Sequence, residues 1–135
     1  MNFDDVNKEL IAFLDNSPNA FFAVNNMCRM LEASGLIRLY EGKPWALEAG
    51  KGYYVTRNDS AVIAFRIPKK DYTGFQMMAS HCDSPVFKIK SNAEITIDKQ
   101  YVKLNVEKYG GMICAPWLDR PLSVAGRIVV RTEEG

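Results

Sequence analysis

Phe75-Gln76-Met77-Met78-Ala79-Ser80-His81-Cys82-Asp83-Ser84-Pro85 is the stretch on which the fold turns, a short apolar run that stops at a histidine and an aspartate two residues apart. Two solvent-facing sides would not tolerate Phe75, Met77 and Met78, so residues 75–79 are expected to form a strand central in a sheet. Strand ends are where α/β enzymes place reactive side chains, because the sheet fixes their position while the loop beyond opens to solvent. Residues i and i+2 of an extended segment point to the same side, so His81 and Asp83 can share one pocket.

His81 is the single histidine of 135 residues, so any chemistry that needs an imidazole must use it, and a multi-histidine metal cage or zinc finger is excluded. A metal-bound imidazole commonly donates its second N–H to a carboxylate, which fixes the tautomer and raises ligand basicity. His81 as ligand and Asp83 as its orienting partner satisfy that requirement. A lone histidine beside a carboxylate at a strand end is more often a hydrogen-bonded structural pair, so these residues alone leave both readings open. Cys82 adjoins His81, but strand neighbours face opposite ways, which disfavours a thiolate–imidazole pair. Ser84 precedes Pro85 without a G-x-S-x-G elbow, so a serine hydrolase gains no support.

Working outward, Phe3, Val6, Leu10, Phe13 and Leu14 recur at helical spacing and predict an amphipathic helix over about residues 3–15. Ser17-Pro18 is a helix-start signal for a second helix carrying Phe21, Val24, Met27, Cys28 and Leu31 on its buried side and ending at Gly35. Past a turn-rich stretch with Gly42, Pro44, Gly50 and Gly52, the runs Tyr53–Thr56 and Ala61–Ile67 flank Arg57-Asn58-Asp59-Ser60 and read as a hairpin. From Val86 the pattern is all β, alternating in residues 86–90, 94–97 and 102–106, with a last strand around Val124 to Arg131. Helices mix with strands before about residue 90 and strands alone follow, which suggests two structural units. The ending Thr132-Glu133-Glu134-Gly135, directly after a strand with no following partner, reads as a truncation, a frayed natural terminus being the alternative.

Seventeen Lys+Arg against sixteen Asp+Glu leave a net charge of +1, too weak a field to argue for nucleic acid or an anionic membrane as partner. Met1-Asn2-Phe3-Asp4-Asp5 lacks the basic and apolar regions of a secretory signal, and no apolar run approaches the roughly 20 residues that span a bilayer. Cys28, Cys82 and Cys114 are odd in number and form no C-x-x-C pair, which suits reduced thiols in the cytoplasm. A soluble cytoplasmic protein is expected.

Five blocks in order give a more specific indication. Ser17-Pro18 with Phe22-Ala23-Val24, Tyr53-Tyr54 with Thr56-Arg57-Asn58 and Ile63-Ala64-Phe65, and Ser80-His81-Cys82-Asp83-Ser84-Pro85 resemble the ordered motifs of the aspartyl aminopeptidases. Glu107-Lys108-Tyr109-Gly110-Gly111 and Trp117-Leu118-Asp119-Arg120-Pro121-Leu122-Ser123-Val124-Ala125-Gly126-Arg127 match that family's E-x-Y-G-G and W-x-D-R-x-L-x-x-A-G-R blocks. The resemblance runs from about Ser17 to Val130. It implies a dinuclear zinc exopeptidase, a hydrolase that removes N-terminal residues, typically Asp or Glu, from peptides through a water activated by two zinc ions.

The fold so implied is α/β: residues 1–90 would be the N-terminal part of a zinc-exopeptidase-like α/β sandwich. Residues 91–135 would begin an inserted all-β assembly domain, truncated, through which the protein forms homo-oligomers. By motif, His81 matches a zinc ligand and Asp83, counted with the catalytic residues, matches the aspartate that orients it. The other ligands and the general base of the family lie downstream of the insert, so the 135 residues alone are expected to be inactive. The competing reading is a non-enzymatic truncated assembly or binding module.

Two positions depart from the family pattern. Phe22 stands where the family usually has histidine, and Cys82 where threonine is common. Tyr109-Gly110-Gly111 has a ready structural reading as a turn needing glycine freedom. Asp119 and Arg120 are expected to form structural ion pairs rather than to touch substrate, and the family's insert-domain histidine is not recognisable in this sequence.

Overall fold

A computed structural model describes residues 2–133; the readings that touch Met1, Glu134 and Gly135, including the expected break at the chain's end, lie outside them. The described residues of Met1–Cys82 and Ala125–Gly135 form one compact unit, and Asp83–Val124 form another. Helix and sheet are mixed in the first, and the second is built on a two-stranded ladder.

Helix α1 (Phe3–Asp15) starts where the Asn2 side chain accepts from the Asp4 N–H at 3.4 Å, with Asp4 and Asp5 in the first turn favouring the positive end of the helix dipole. Its helical spacing is as expected, yet none of its residues is buried, and Phe3, Leu10 and Leu14 stay exposed. Periodicity is a local property of the chain, whereas burial needs a facing surface.

Helix α2 (Ala20–Ala33) begins two residues later than Ser17-Pro18 indicates. Asn19 is extended, with φ −155°, and its side chain accepts from the Phe21 and Phe22 N–H groups at 3.0 and 3.2 Å, so it caps in place of Ser17. Ser17 instead accepts from the Asn26 amide at 3.1 Å, and that amide also donates to the Asn16 carbonyl at 2.8 Å, tying the α1–α2 corner. At the other end Gly35 takes φ +81° and donates to Glu32 O, while Leu36 donates to Leu31 O, the paired bonds of a Schellman stop.

The sheet of this unit has the order β1 (Ile37–Leu39), β2 (Gly52–Arg57), β3 (Ala61–Arg66). β1 pairs parallel to β2 through Ile37↔Tyr53 and falls before the turn-rich stretch, where three residues are too few to show a period. β2 and β3 form the expected hairpin, and Asn58 and Asp59 both take φ near +50° at its turn, as the strand twist requires. Central β2 is buried from Gly52 to Val55, and α2 packs on it: Val24, Cys28 and Tyr54 form the core cluster, with Met27, Leu31, Leu36, Val62 and Cys82 against it. Most of the predicted stripe of α2 is thus inside, and Ala23 joins it.

Tyr54 is fully buried and donates its hydroxyl to the Glu32 carboxylate. Burial first, and that bond second, push the phenol up to about 12 from its ordinary 10. A folded pKa above the unfolded one means that the stabilisation is complete below pH 10 and is lost as pH rises through 12. Urea unfolding is expected to lose about 2–3 kcal/mol across that window, and Tyr54→Phe to flatten the loss. A wild-type profile that stays level to pH 12 would contradict this.

Two expected strands are corrected. Residues 75–79 and 124–131 form no strand, and Phe75, Met77, Met78, Ile128 and Val129 are at least 83% exposed. A strand exists only with a hydrogen-bonded neighbour. Among the described residues, the sheet of this unit runs only from β1 to β3, so these runs find none.

The second unit is a hairpin of β4 (Val86–Ile97) and β5 (Tyr101–Tyr109), antiparallel from Val86↔Tyr109 to Ile97↔Tyr101. The alternating runs at 86–90 and 94–97 are one strand interrupted by a register shift between Ile89 and Glu94, which re-phases the alternation. Asp98 and Lys99 take φ +49° and +57° at its turn, repeating the geometry of the first hairpin. A short 3-10 helix (Ala115–Trp117) follows, and Trp117 meets Phe87 edge-on at 5.6 Å between centroids. No helix among the described residues is long and apolar enough to cross a membrane.

Candidate functional site

Register in the second unit brings together residues far apart in sequence. β4 starts directly after Asp83-Ser84-Pro85 and β5 ends on Tyr109, so the pair Val86↔Tyr109 puts both blocks at one end of the hairpin. There the Tyr109 hydroxyl donates to Asp83 Oδ2 at 2.6 Å, a charge-assisted bond. That bond holds the Tyr109 phenol above its ordinary pKa, so it stays a proton donor at neutral pH. Gly110 leaves the strand at φ +71°, where a side chain would be strained, so the turn reading of Tyr109-Gly110-Gly111 holds for the glycine while the tyrosine has a polar task besides. Trp117, packed on Phe87, holds the start of the W-L-D-R block on β4. Arg120 donates to the Pro116 carbonyl at 3.3 Å, a backbone bond of its own loop in place of the expected ion pair.

In the first unit, His81 is exposed on a segment that forms neither helix nor strand, and Cys82 turns inward. The Cys82 thiol donates to the Ser60 carbonyl at 3.1 Å in the β2–β3 turn and packs on the cluster of Val24, Cys28 and Tyr54. That engagement anchors the residue next to His81. Asp83 is half-buried two residues after His81 and bonded to Tyr109.

Around the same turn, Arg127 Nη1 donates to the Asn58 carbonyl at 2.8 Å and lies 3.9 Å from Asp59 Oδ2, with its guanidinium 4.4 Å from the Phe21 ring centroid. Arg38 approaches the other Asp59 oxygen at 3.9 Å and donates to Thr56 Oγ1 at 3.3 Å. The last arginine of the W-x-D-R-x-L-x-x-A-G-R block is therefore a clamp on the first hairpin. Phe22 is exposed.

Among the described residues no three His, Cys, Asp or Glu side chains group to hold a metal ion. The residue types fit one position of a zinc site: an imidazole at His81, with a carboxylate two residues on in sequence at Asp83. They do not make a full ligand shell. Neither composition nor spacing marks Tyr109 as a partner of Asp83 or Arg127 as a partner of Asn58. The only signal for either was membership in a block shared with a family.

Residues 13–135 match the family described as Aminopeptidase I zinc metalloprotease (M18). The chain is 45% identical over 127 residues to a probable M18 family aminopeptidase 2 of Clostridium novyi (strain NT), covering 93% of this chain and 29% of that relative. A chain of the Ape4 and Nbr1 complex solved by cryo-EM superposes with a TM-score of 0.89 at 39% identity, over 94% of this chain and 25% of its own length. The S. cerevesiae mApe1 dodecamer gives 0.72 at 25% identity, over 89% of this chain and 28% of the other. The chain thus spans less than a third of the proteins it matches.

Proposed function

The chain belongs to the M18 aminopeptidase family of zinc metalloproteases, and on that premise we propose that the protein carrying these residues is a zinc aminopeptidase that removes N-terminal residues, Asp and Glu above all, from peptides. The observation that carries this reading is the Ser80–Pro85 block, inside the matched residues, with its Asp83 bonded to Tyr109 of a second matched block. His81 would hold one of two zinc ions through a ring nitrogen, and Asp83 would accept the other N–H and fix the tautomer. When bound, zinc supplies a Lewis acid for the scissile carbonyl and lowers the pKa of a water. The Cys82 thiol is engaged with the Ser60 carbonyl, which supports a mechanism without a sulfur nucleophile.

Residues 1–90 are read as the N-terminal segment of the catalytic α/β domain and residues 91–135 as the start of an inserted assembly domain. The mApe1 dodecamer supports a homo-oligomer. The remaining zinc ligands and the general base come from outside these 135 residues, which alone are inactive; the count of one histidine supports this. Free Cys28, Cys82 and Cys114 support a cytoplasmic protein.

The test uses the full-length protein and para-nitroanilides of Asp, Glu and Leu. The acidic substrates are expected to be cleaved about 10-fold faster or more, and chelation to abolish the activity until zinc is returned. Equal rates on the Leu substrate would sink the acidic preference, and activity that survives metal removal would sink the zinc chemistry.

A further inference from the structure

We propose that Tyr109 is a positioning residue of the metal site: its hydroxyl sets the Asp83 carboxylate, and through it the imidazole of His81, without touching metal or substrate. The inference rests on the reading of His81 as a zinc ligand and extends it to a residue 26 positions beyond Asp83. Three observations carry it. The bond is short and direct, 2.6 Å from the Tyr109 hydroxyl to Asp83 Oδ2, and it joins two groups that are both partly open to solvent. The tyrosine is rigidly supported, since Val86↔Tyr109, Phe87↔Lys108 and Lys88↔Glu107 are successive ladder pairs and Trp117 packs on Phe87. Gly110, with φ +71°, turns the chain directly after the tyrosine, so the strand ends where the hydroxyl meets the carboxylate.

A carboxylate on two rotatable bonds is a poor orienter unless something stops its rotation. Fixing one oxygen fixes the plane of both, and a site must be held to about 0.5 Å to work. The hydroxyl of Tyr109 supplies that constraint from a β-ladder rather than from a loop. Partners of a ligand's carboxylate act on affinity and rate together, typically by 10- to 100-fold.

The experiment uses the full-length protein and compares wild type, Tyr109→Phe, Asp83→Asn, their double variant and His81→Ala. For each, zinc affinity is read by chelator competition, kcat and KM on one substrate, and melting of the metal-free form. Tyr109→Phe keeps the ring and loses one O–H. Its expected result is zinc binding weakened about 10-fold and kcat reduced about 10-fold, with KM within about 2-fold and metal-free melting unchanged. In the Asp83→Asn background the same change is expected to have no further effect, because the hydroxyl acts only through that carboxylate.

Unchanged zinc affinity and kcat in Tyr109→Phe, with both lost in His81→Ala, would overturn the role of Tyr109 and leave His81 as ligand. A lower melting temperature with unchanged zinc affinity would also overturn it, making the bond a structural tie. If Tyr109→Phe folds poorly, equal losses with and without Asp83→Asn overturn the proposal, and a loss seen only with Asp83 intact supports it. Zinc affinity unchanged in His81→Ala would instead remove the reading on which the inference rests.

Discussion

Replacing His81 by alanine in the full-length protein is expected to reduce kcat/KM on the order of 10³-fold and to lower the zinc content, with the fold intact. The size follows from what the site can draw on. No second histidine exists in these residues to take its place, and no cluster of three ligating side chains surrounds it among the described residues. The intact fold follows from exposure: His81 lies on a segment outside helix and strand, and its neighbour Cys82 supplies the anchor into the core. Substitutions at such surface positions change stability by about 0.5 kcal/mol or less. Zinc analysis, steady-state kinetics and a melting curve on the same preparation separate the alternatives. Full zinc occupancy together with a wild-type rate would remove His81 from the site, and an early melt would make the loss a folding defect.

What could be read from the amino-acid sequence divides by range. Elements that depend on neighbours in the chain formed where expected: the spacing of Phe3 to Leu14, the glycine stop at Gly35, and the hairpin through Asn58 and Asp59. Asn19 replaced Ser17 as cap because both side chains can accept an N–H and only the backbone at Asn19 aims at the first turn. Residues 75–79 are apolar enough to be buried on both faces and 124–131 are rich in β-branched residues, but composition reports what a strand would need and not whether a partner lies within reach. The site follows the same rule. His81 and Asp83 are two residues apart and could be paired on paper, whereas Tyr109 reaches Asp83 only through a ladder whose register includes a shift after Ile89. The zinc reading itself came from the resemblance of ordered blocks, since one histidine and one aspartate carry too little information alone.

Tyr54→Ala is expected to have the largest effect on stability, a loss of about 3–5 kcal/mol measured by urea unfolding. Tyr54 is wholly buried and stands with Val24 and Cys28 where α2 packs on the sheet of the first unit, with Val62 of β3 against the same cluster. Truncation removes the ring from that contact, opens a cavity lined by Val24, Cys28 and their neighbours, and deletes the bond to Glu32. Domains of this size are stable by about 5–15 kcal/mol, so the loss is a large part of the whole. Because Cys82 rests on the same cluster, the variant is also expected to loosen the segment that presents His81, and faster thiol labelling of Cys82 would report it. Phe3→Ala in α1 supplies the contrast: its side chain is as large but 87% exposed, and its removal is expected to cost about 0.5 kcal/mol or less. Equal urea midpoints for the two variants would mean that the α2–β2 contact is not what holds the unit together.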